Sequence, residues 1–316
     1  MFRSGEKIDI SIKLSKFGND LPLSGKLTLT LFDAQKEYVR QEAEKVFSGH
    51  GIMEAMRCSL KLPEVSDERI YTLRAKFESK DDIIENSWEV FCVPQVKIGT
   101  QKEIYIHYLS RPLIEGDGVP VRHFTIPQPI GGGQLILTEH LYGSMLDAVL
   151  NQGASMLLLA GEDTFKETVK GNSFNTPWWD PGEIWYLNHT NNIQISAVVE
   201  DCPATKMIPY DGAWKIDLFG AVDYAHAVNL DALGFDVEAL IYGIDTKFDR
   251  LGYLFQFAFG KGKVLVCTLR HKRDDLKDPA VDYVMKRLIN YAMSEEFKPK
   301  KQVKANELLS ALKNGF

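Results

Sequence analysis

Several things are missing from this sequence, and each absence narrows what the chain can be. No apolar run reaches the ~18 residues that a membrane-spanning helix requires, so neither a transmembrane helix nor a membrane partner is expected. The start, Met1 to Gly5, shows no charged stretch followed by an apolar one, so these residues predict no signal peptide. That abrupt start points to a piece of a longer polypeptide, whose own export signal would lie upstream, so localisation stays open. Positive charge is scarce: 37 Lys and Arg stand against 43 Asp and Glu, a formal net charge of −6. A nucleic-acid partner would need a concentrated basic face, and none is expected. The one basic run, Lys298 to Lys304, reads as solvated surface.

Metal and cofactor signatures are absent too. The four cysteines, Cys58, Cys92, Cys202 and Cys267, are widely separated and form no CxxC pair. They predict neither a zinc site nor a disulfide framework. His107, His123, His140, His189, His226 and His271 are scattered, with no HExxH and no close pair, so no metal is expected. His271, just past a strand end, reads as a surface residue. Gly131-Gly132-Gly133 precedes a strand rather than opening a helix, so its amides form no phosphate cradle, and no cofactor is expected.

What is present is alternation. Ile8, Ile10, Ile12 and Leu14 alternate with polar residues, as do Leu27, Leu29, Leu31 and later Tyr71, Leu73, Ala75, Phe77. Period two means strands with one buried face. Turn residues separate these runs, and Asn86 to Pro94 closes the block with an aromatic-rich strand whose Trp88 is expected in the core. Gln35 to Val46 fits a short helix or a strand. Residues 1–94 thus have the size and texture of an immunoglobulin-like sandwich. Residues 95–316 change character. A strand at 133–137, a helical pattern through Leu141, Met145 and Val149, Gly153 as its left-handed stop, and the apolar run Ser155 to Ala160 make a β-α-β unit. An uninterrupted apolar strand predicts a mostly parallel sheet covered on both faces. Tyr253 to Phe259 and Lys263 to Leu269 flank a hairpin-like Gly260-Lys261-Gly262. Asp278 and Pro279 then open a helix, and the tail from 302 to 313 suits one more.

Two segments carry a family resemblance. Ser4-Gly5-Glu6 through Asn86-Ser87-Trp88-Glu89-Val90 and Val93-Pro94 resembles the immunoglobulin-like domain of family-2 glycoside hydrolases, the β-galactosidase and β-glucuronidase superfamily. Leu135 to Thr138, Gly153-Ala154 with Leu157 to Leu159, Cys202-Pro203-Ala204 to Pro209-Tyr210, and Gly260 to Cys267 resemble their C-terminal α/β domain. That domain is similar to class I glutamine amidotransferases and to β-galactosidase trimerisation domains. The resemblance implies two domains, an all-β immunoglobulin-like sandwich followed by a glutamine amidotransferase-like α/β domain. It also implies a catalytic barrel elsewhere in the parent glycoside hydrolase as the partner, and it admits a homo-oligomer.

The chemistry tests come out empty. Glycosidases need two carboxylates ~5–9 Å apart, and the one Asn-Glu dipeptide, Asn306-Glu307, has no strand before it. Glu162-Asp163 follows a buried strand, where α/β sheets place ligands, but reads as a solvated loop. An amidotransferase needs a cysteine on a strand-to-helix elbow, and Gly161-Glu162 stands there instead. No catalytic residue is therefore expected. The remaining cluster is aromatic: Trp178, Trp179, Asp180, Glu183, Trp185, Tyr186 and Trp214. Either these rings stack on a carbohydrate while the carboxylates take its hydroxyls, or they pack loops and an interface. The expected function is a non-catalytic accessory region of a glycoside hydrolase. The alternatives are an independent carbohydrate-binding module and an α/β hydrolase or amidase with an unrecognised nucleophile.

Overall fold

A computed structural model describes residues 1–17, 21–99, 102–107, 113–114, 118–124, 130–170, 197–208, 219–222, 225–244 and 248–313. Contacts divide the chain into two units, Met1–Gln95 and Val96–Phe316.

The first unit consists of β1 (Phe2–Arg3), β2 (Lys7–Lys16), β3 (Leu23–Phe32), β4 (Glu37–Phe47), β5 (Gly51–Lys61), β6 (Arg69–Ser79) and β7 (Ile83–Val93). One sheet runs β1-β7-β6-β3-β4, and β2 pairs with β5 in another. Alternation does the sorting: Leu27, Leu29 and Leu31 of β3 and Tyr71, Leu73 and Phe77 of β6 share a core with Ile8, Ile12 and Leu14 of β2. The ambiguous segment from Gln35 is strand β4, paired along its length with β3. Two strands cannot cover five. Trp88, expected in the core, is therefore 42% exposed although it shares a face with buried Val90 and Cys92. It borders a cavity of about 90 Å³ with Ile12, Leu14 and Phe77.

The second unit begins with β8 (Ile104–His107), β9 (Val121–Phe124), β10 (Leu135–Thr138) and α1 (Gly143–Asp147), which continues into a π-helical turn over Ala148–Gln152. Next come β11 (Ser155–Leu159), β12 (Thr168–Lys170), β13 (Val198–Val199), α2 (Phe219–Val222), β14 (His226–Asn229), β15 (Glu238–Ile244), β16 (Arg250–Phe259) and β17 (Gly262–Cys267). The chain ends with α3 (Pro279–Met293), β18 (Gln302–Val303) and α4 (Ala305–Ala311). All eleven strands join one sheet, with the main order β12-β14-β16-β17-β11-β10-β8-β9. From β17 to β9 every pairing is parallel, whereas β12, β13, β14, β15 and β17 join their neighbours on the β16 side antiparallel. β16 alone pairs with four strands, β14, β15, β17 and β18.

This architecture corrects the expected fold class. An immunoglobulin-like sandwich followed by a mostly parallel amidotransferase-like α/β domain does not describe it. The first unit divides its strands five and two rather than four and three. The second is a mixed sheet, and among the described residues strands make up 46% and helices 16%. The physical reason is that buried apolar runs look alike in parallel and antiparallel surroundings. The parallel unit around β10 and β11 is real, but the two-residue turn after β16 reverses direction, so half the sheet needs no crossover helices.

Where helices do form, local chemistry explains them. Gly153 closes the α1 segment at φ 80°, in the left-handed region that glycine enters freely. Asp278 caps α3 by accepting from the Ala280 amide at 2.8 Å, and Pro279 occupies the first turn, where no amide donor is needed. The Asp278→Ala variant is expected to lose about 1 kcal/mol, read as a lower urea midpoint with an unchanged slope.

Candidate functional site

Parallel strands share a direction, so the carboxyl ends of β8, β10, β11 and β17 lie on one edge of the sheet. Ligands in open α/β sheets collect at that edge. Here it opens into a cleft of about 730 Å³, within the usual range for small-molecule sites.

Three chain segments build its floor. After β10, the Thr138 hydroxyl donates to the His140 carbonyl at 2.6 Å and accepts from the His140 amide at 3.1 Å, a tight local brace that fixes Glu139 and His140. After β11, the Gly161 amide donates to the Thr164 hydroxyl at 3.0 Å, which shapes the Glu162-Asp163 turn. After β17, Asp275 knits the loop: it accepts from the Arg270 guanidinium at 3.0 and 2.5 Å and from the Lys272 amide at 2.9 Å. His271 lies within that loop, with Nδ1 2.9 Å from the Leu269 carbonyl.

At the centre stands Glu139, its side chain 9% exposed. One carboxylate oxygen is ion-paired with Lys272 Nζ, and the other lies 3.8 Å from His271 Nε2. Burial works to raise this carboxyl, but the Lys272 ammonium paired with it and the His271 ring beside it overcome burial and hold the group at about 2. His107, at the end of β8 and 2% exposed, meets the His140 ring edge-on with centroids 5.3 Å apart. Burial first, then the adjacent His140, push the His107 imidazole below its ordinary value, with Glu139 acting in the opposite sense. Across the cleft, His226 Nε2 lies 3.8 Å from Glu162, and Lys313 pairs with Asp163 at 3.0 Å.

The expectations from sequence are corrected at several points. Glu162 and Asp163, read as a solvated loop, are exposed in a turn as expected, and they line the cleft as well. His271, read as surface, is 91% buried at the side chain, and His107 with His140 make the close pair that spacing alone did not reveal. Trp178, Trp179, Asp180, Glu183, Trp185, Tyr186 and Trp214 lie outside the described residues. Among the described residues, no group of three His, Cys, Asp or Glu is placed to hold a metal ion. No cysteine lines the cleft. Cys267, wholly buried at the end of β17, has its thiol pushed up to about 12 by burial, and thiolate chemistry is closed to it.

One signal in the sequence would have found the site. Glu139-His140, Glu162-Asp163 and His271-Lys272 are the polar residues found just past successive buried strands.

A family model described as "Domain of unknown function (DUF8487)" matches residues 137–313. No curated protein matches the chain. Solved structures with partial likeness include the β-glucuronidase of Parabacteroides merdae, 12% identical over 48% of this chain and 22% of that one, at a TM-score of 0.22. A family 123 glycoside hydrolase from Clostridium perfringens is 9% identical over 35% and 26%, at 0.24. A sialyltransferase from Photobacterium damsela is 9% identical over 60% and 33%, at 0.18. The chain spans between 22% and 33% of the length of these proteins. Likeness this faint carries no argument about chemistry, and the resemblance to a family-2 accessory region is not confirmed by it.

Proposed function

Because the chain belongs to the family described as domain of unknown function DUF8487, we propose a role from the cleft itself: it binds a neutral, polyhydroxylated ligand of the carbohydrate class. The observation that carries this reading is that, among the described residues, both permanent cations lining the cleft are already committed. Lys272 is paired with Glu139 and Arg270 with Asp275. An anionic ligand would have to break one of these pairs and leave a carboxylate behind. A polyol need not, because each hydroxyl both donates to a carboxylate and accepts from a cation or imidazole. Glu162, Asp163, Thr164, Thr268 and His226 extend that mixed lining.

The finer reading is that the chain acts without catalysis, as an accessory region beside the barrel of a family-2 type glycoside hydrolase. The order of its sequence segments supports that role. An amidase or hydrolase with a cysteine nucleophile finds no thiol in the cleft to support it.

Saturation-transfer NMR on the full chain tests the binding, with a panel of soluble oligosaccharides set against inorganic phosphate. Signals from a sugar that disappear on adding Glu162→Gln and Thr164→Val together are expected. Phosphate binding in the cleft with no sugar response would overturn the reading. Release of nitrophenol from nitrophenyl glycosides by the purified chain would overturn the non-catalytic part alone.

A further inference from the structure

His271 has one nitrogen satisfied and one not. Nδ1 lies 2.9 Å from the Leu269 carbonyl, which can only accept, so Nδ1 carries a proton. Nε2 is buried and has no hydrogen-bond partner among the described residues. The atom facing it is a carboxylate oxygen of Glu139 at 3.8 Å, too far for a hydrogen bond. In the neutral ring, two acceptors therefore confront each other at the bottom of the cleft. A buried polar atom left in this state costs about 1–3 kcal/mol, so the arrangement is one that waits for something.

Two additions relieve it together. A second proton turns Nε2 into a donor, and because Nε2 is closed to solvent as it stands, a turn of the Glu139 carboxylate away from it would make the place for a ligand hydroxyl between the two. We propose that His271 and Glu139 form a hydroxyl-reading subsite: the imidazolium donates from Nε2 to the ligand oxygen, and that hydroxyl donates its own hydrogen to Glu139. This rests on the reading that the cleft takes a polyhydroxylated ligand, and it specifies what that ligand must present. An ether oxygen accepts but cannot donate, so it leaves the carboxylate unsatisfied. A carboxylate accepts only, and meets the negative charge of Glu139.

The subsite also couples binding to a proton. The neutral ring must gain one to complete the pair, so a hydroxyl ligand is taken up together with a proton, and the subsite is lost where Glu139 protonates. The charged and titratable groups around His271 fit this sign. Glu139 favours the imidazolium, while Lys272 and Arg270 on its own loop oppose it but are neutralised by Glu139 and Asp275. His140, and His107 behind it, lie beyond Glu139 on the β10 and β8 side, and Glu162 with His226 face the cleft from the β11 and β14 side.

Long-range nitrogen–proton NMR on the free protein reads the ring directly. It is expected to show the Nδ1–H tautomer of the neutral ring, in the wild type and in Glu139→Gln alike. Two small probes then share one carbon skeleton: glycerol and its trimethyl ether, 1,2,3-trimethoxypropane. Glycerol is expected to move the His271 Nε2 resonance, and the ether to leave it in place. An Nε2–H tautomer, or equal responses to the two probes, would overturn the subsite. Glycerol that perturbs no cleft resonance at all, with the tautomer as expected, would overturn the polyol reading and the subsite with it. Should Glu139→Gln fail to fold, the wild-type tautomer and the probe pair still decide.

Discussion

Alanine at Gly260 is expected to destabilise the second unit by about 3–5 kcal/mol. Gly260 and Lys261 are the whole turn between β16 and β17, since Phe259 pairs with Gly262. Gly260 sits at φ 60° in the first central position, the pattern of a type II′ hairpin turn, where an L side chain is strained. The second cost is space. The tip of this hairpin is wedged against the end of the α1 segment, where the Leu150 carbonyl accepts from the Lys261 amide at 2.9 Å. An added Cβ would stand 2.2 Å from that same carbonyl oxygen and 2.8 Å from the Leu150 Cα, and backbone cannot swing aside as a side chain can. Against a total stability of ~5–15 kcal/mol for a typical domain, this loss would lower the thermal midpoint by many degrees. Gly234→Ala is the control. It shares the positive φ, at 80°, but meets nothing within 4 Å, so it isolates backbone strain, about 1–2 kcal/mol. Equal melting of the two variants would show that the Leu150 contact contributes nothing.

Acid is expected to remove a comparable amount through one residue. Glu139 has a folded value of about 2 against an ordinary 4.5. A carboxyl depressed by folding contributes its full stabilisation above the unfolded value and loses it as pH falls from there through the folded one. The window is therefore pH 4.5 down to about 2, and the amount is on the order of 3 kcal/mol. Protonation also strips the counter-charge from Lys272, so its ammonium is left facing a neutral acid. Urea unfolding of the wild type at pH 7, 4.5 and 3, set beside Glu139→Gln, separates this from other carboxylates. The two proteins should converge as pH falls, and parallel curves would assign the acid loss elsewhere.

Much of the local structure was legible because it is written in local chemistry. Ile8, Ile12 and Leu14 face inward on β2 as their alternation requires, Gly153 stops the helical segment, and Asp278-Pro279 starts α3. The sheet was harder. Apolar runs such as Met156 to Leu159 and Phe255 to Phe259 are buried alike, yet the first lies in the parallel half of the sheet and the second pairs antiparallel with β17. Direction comes from connections, which periodicity does not record. Trp88 shows the same limit: its face was legible, while the extent of the opposing layer was not. The cleft was hardest, since Lys272 and Glu139 lie 133 positions apart. They meet only because β10 and β17 both flank β11, a fact of strand order rather than of either segment.

Strand order has a further consequence in β16. Its ten residues are nearly all buried, and four separate strands hold its two edges. Such a strand cannot fray from one side, because releasing any neighbour leaves others in place. Its amides should be the last in the chain to trade hydrogen for deuterium, exchanging only when the whole second unit opens. The cleft loops after β10, β11 and β17 end on strands tied, directly or through β17, to that slow centre. The binding edge can therefore breathe while the sheet beneath it keeps its register.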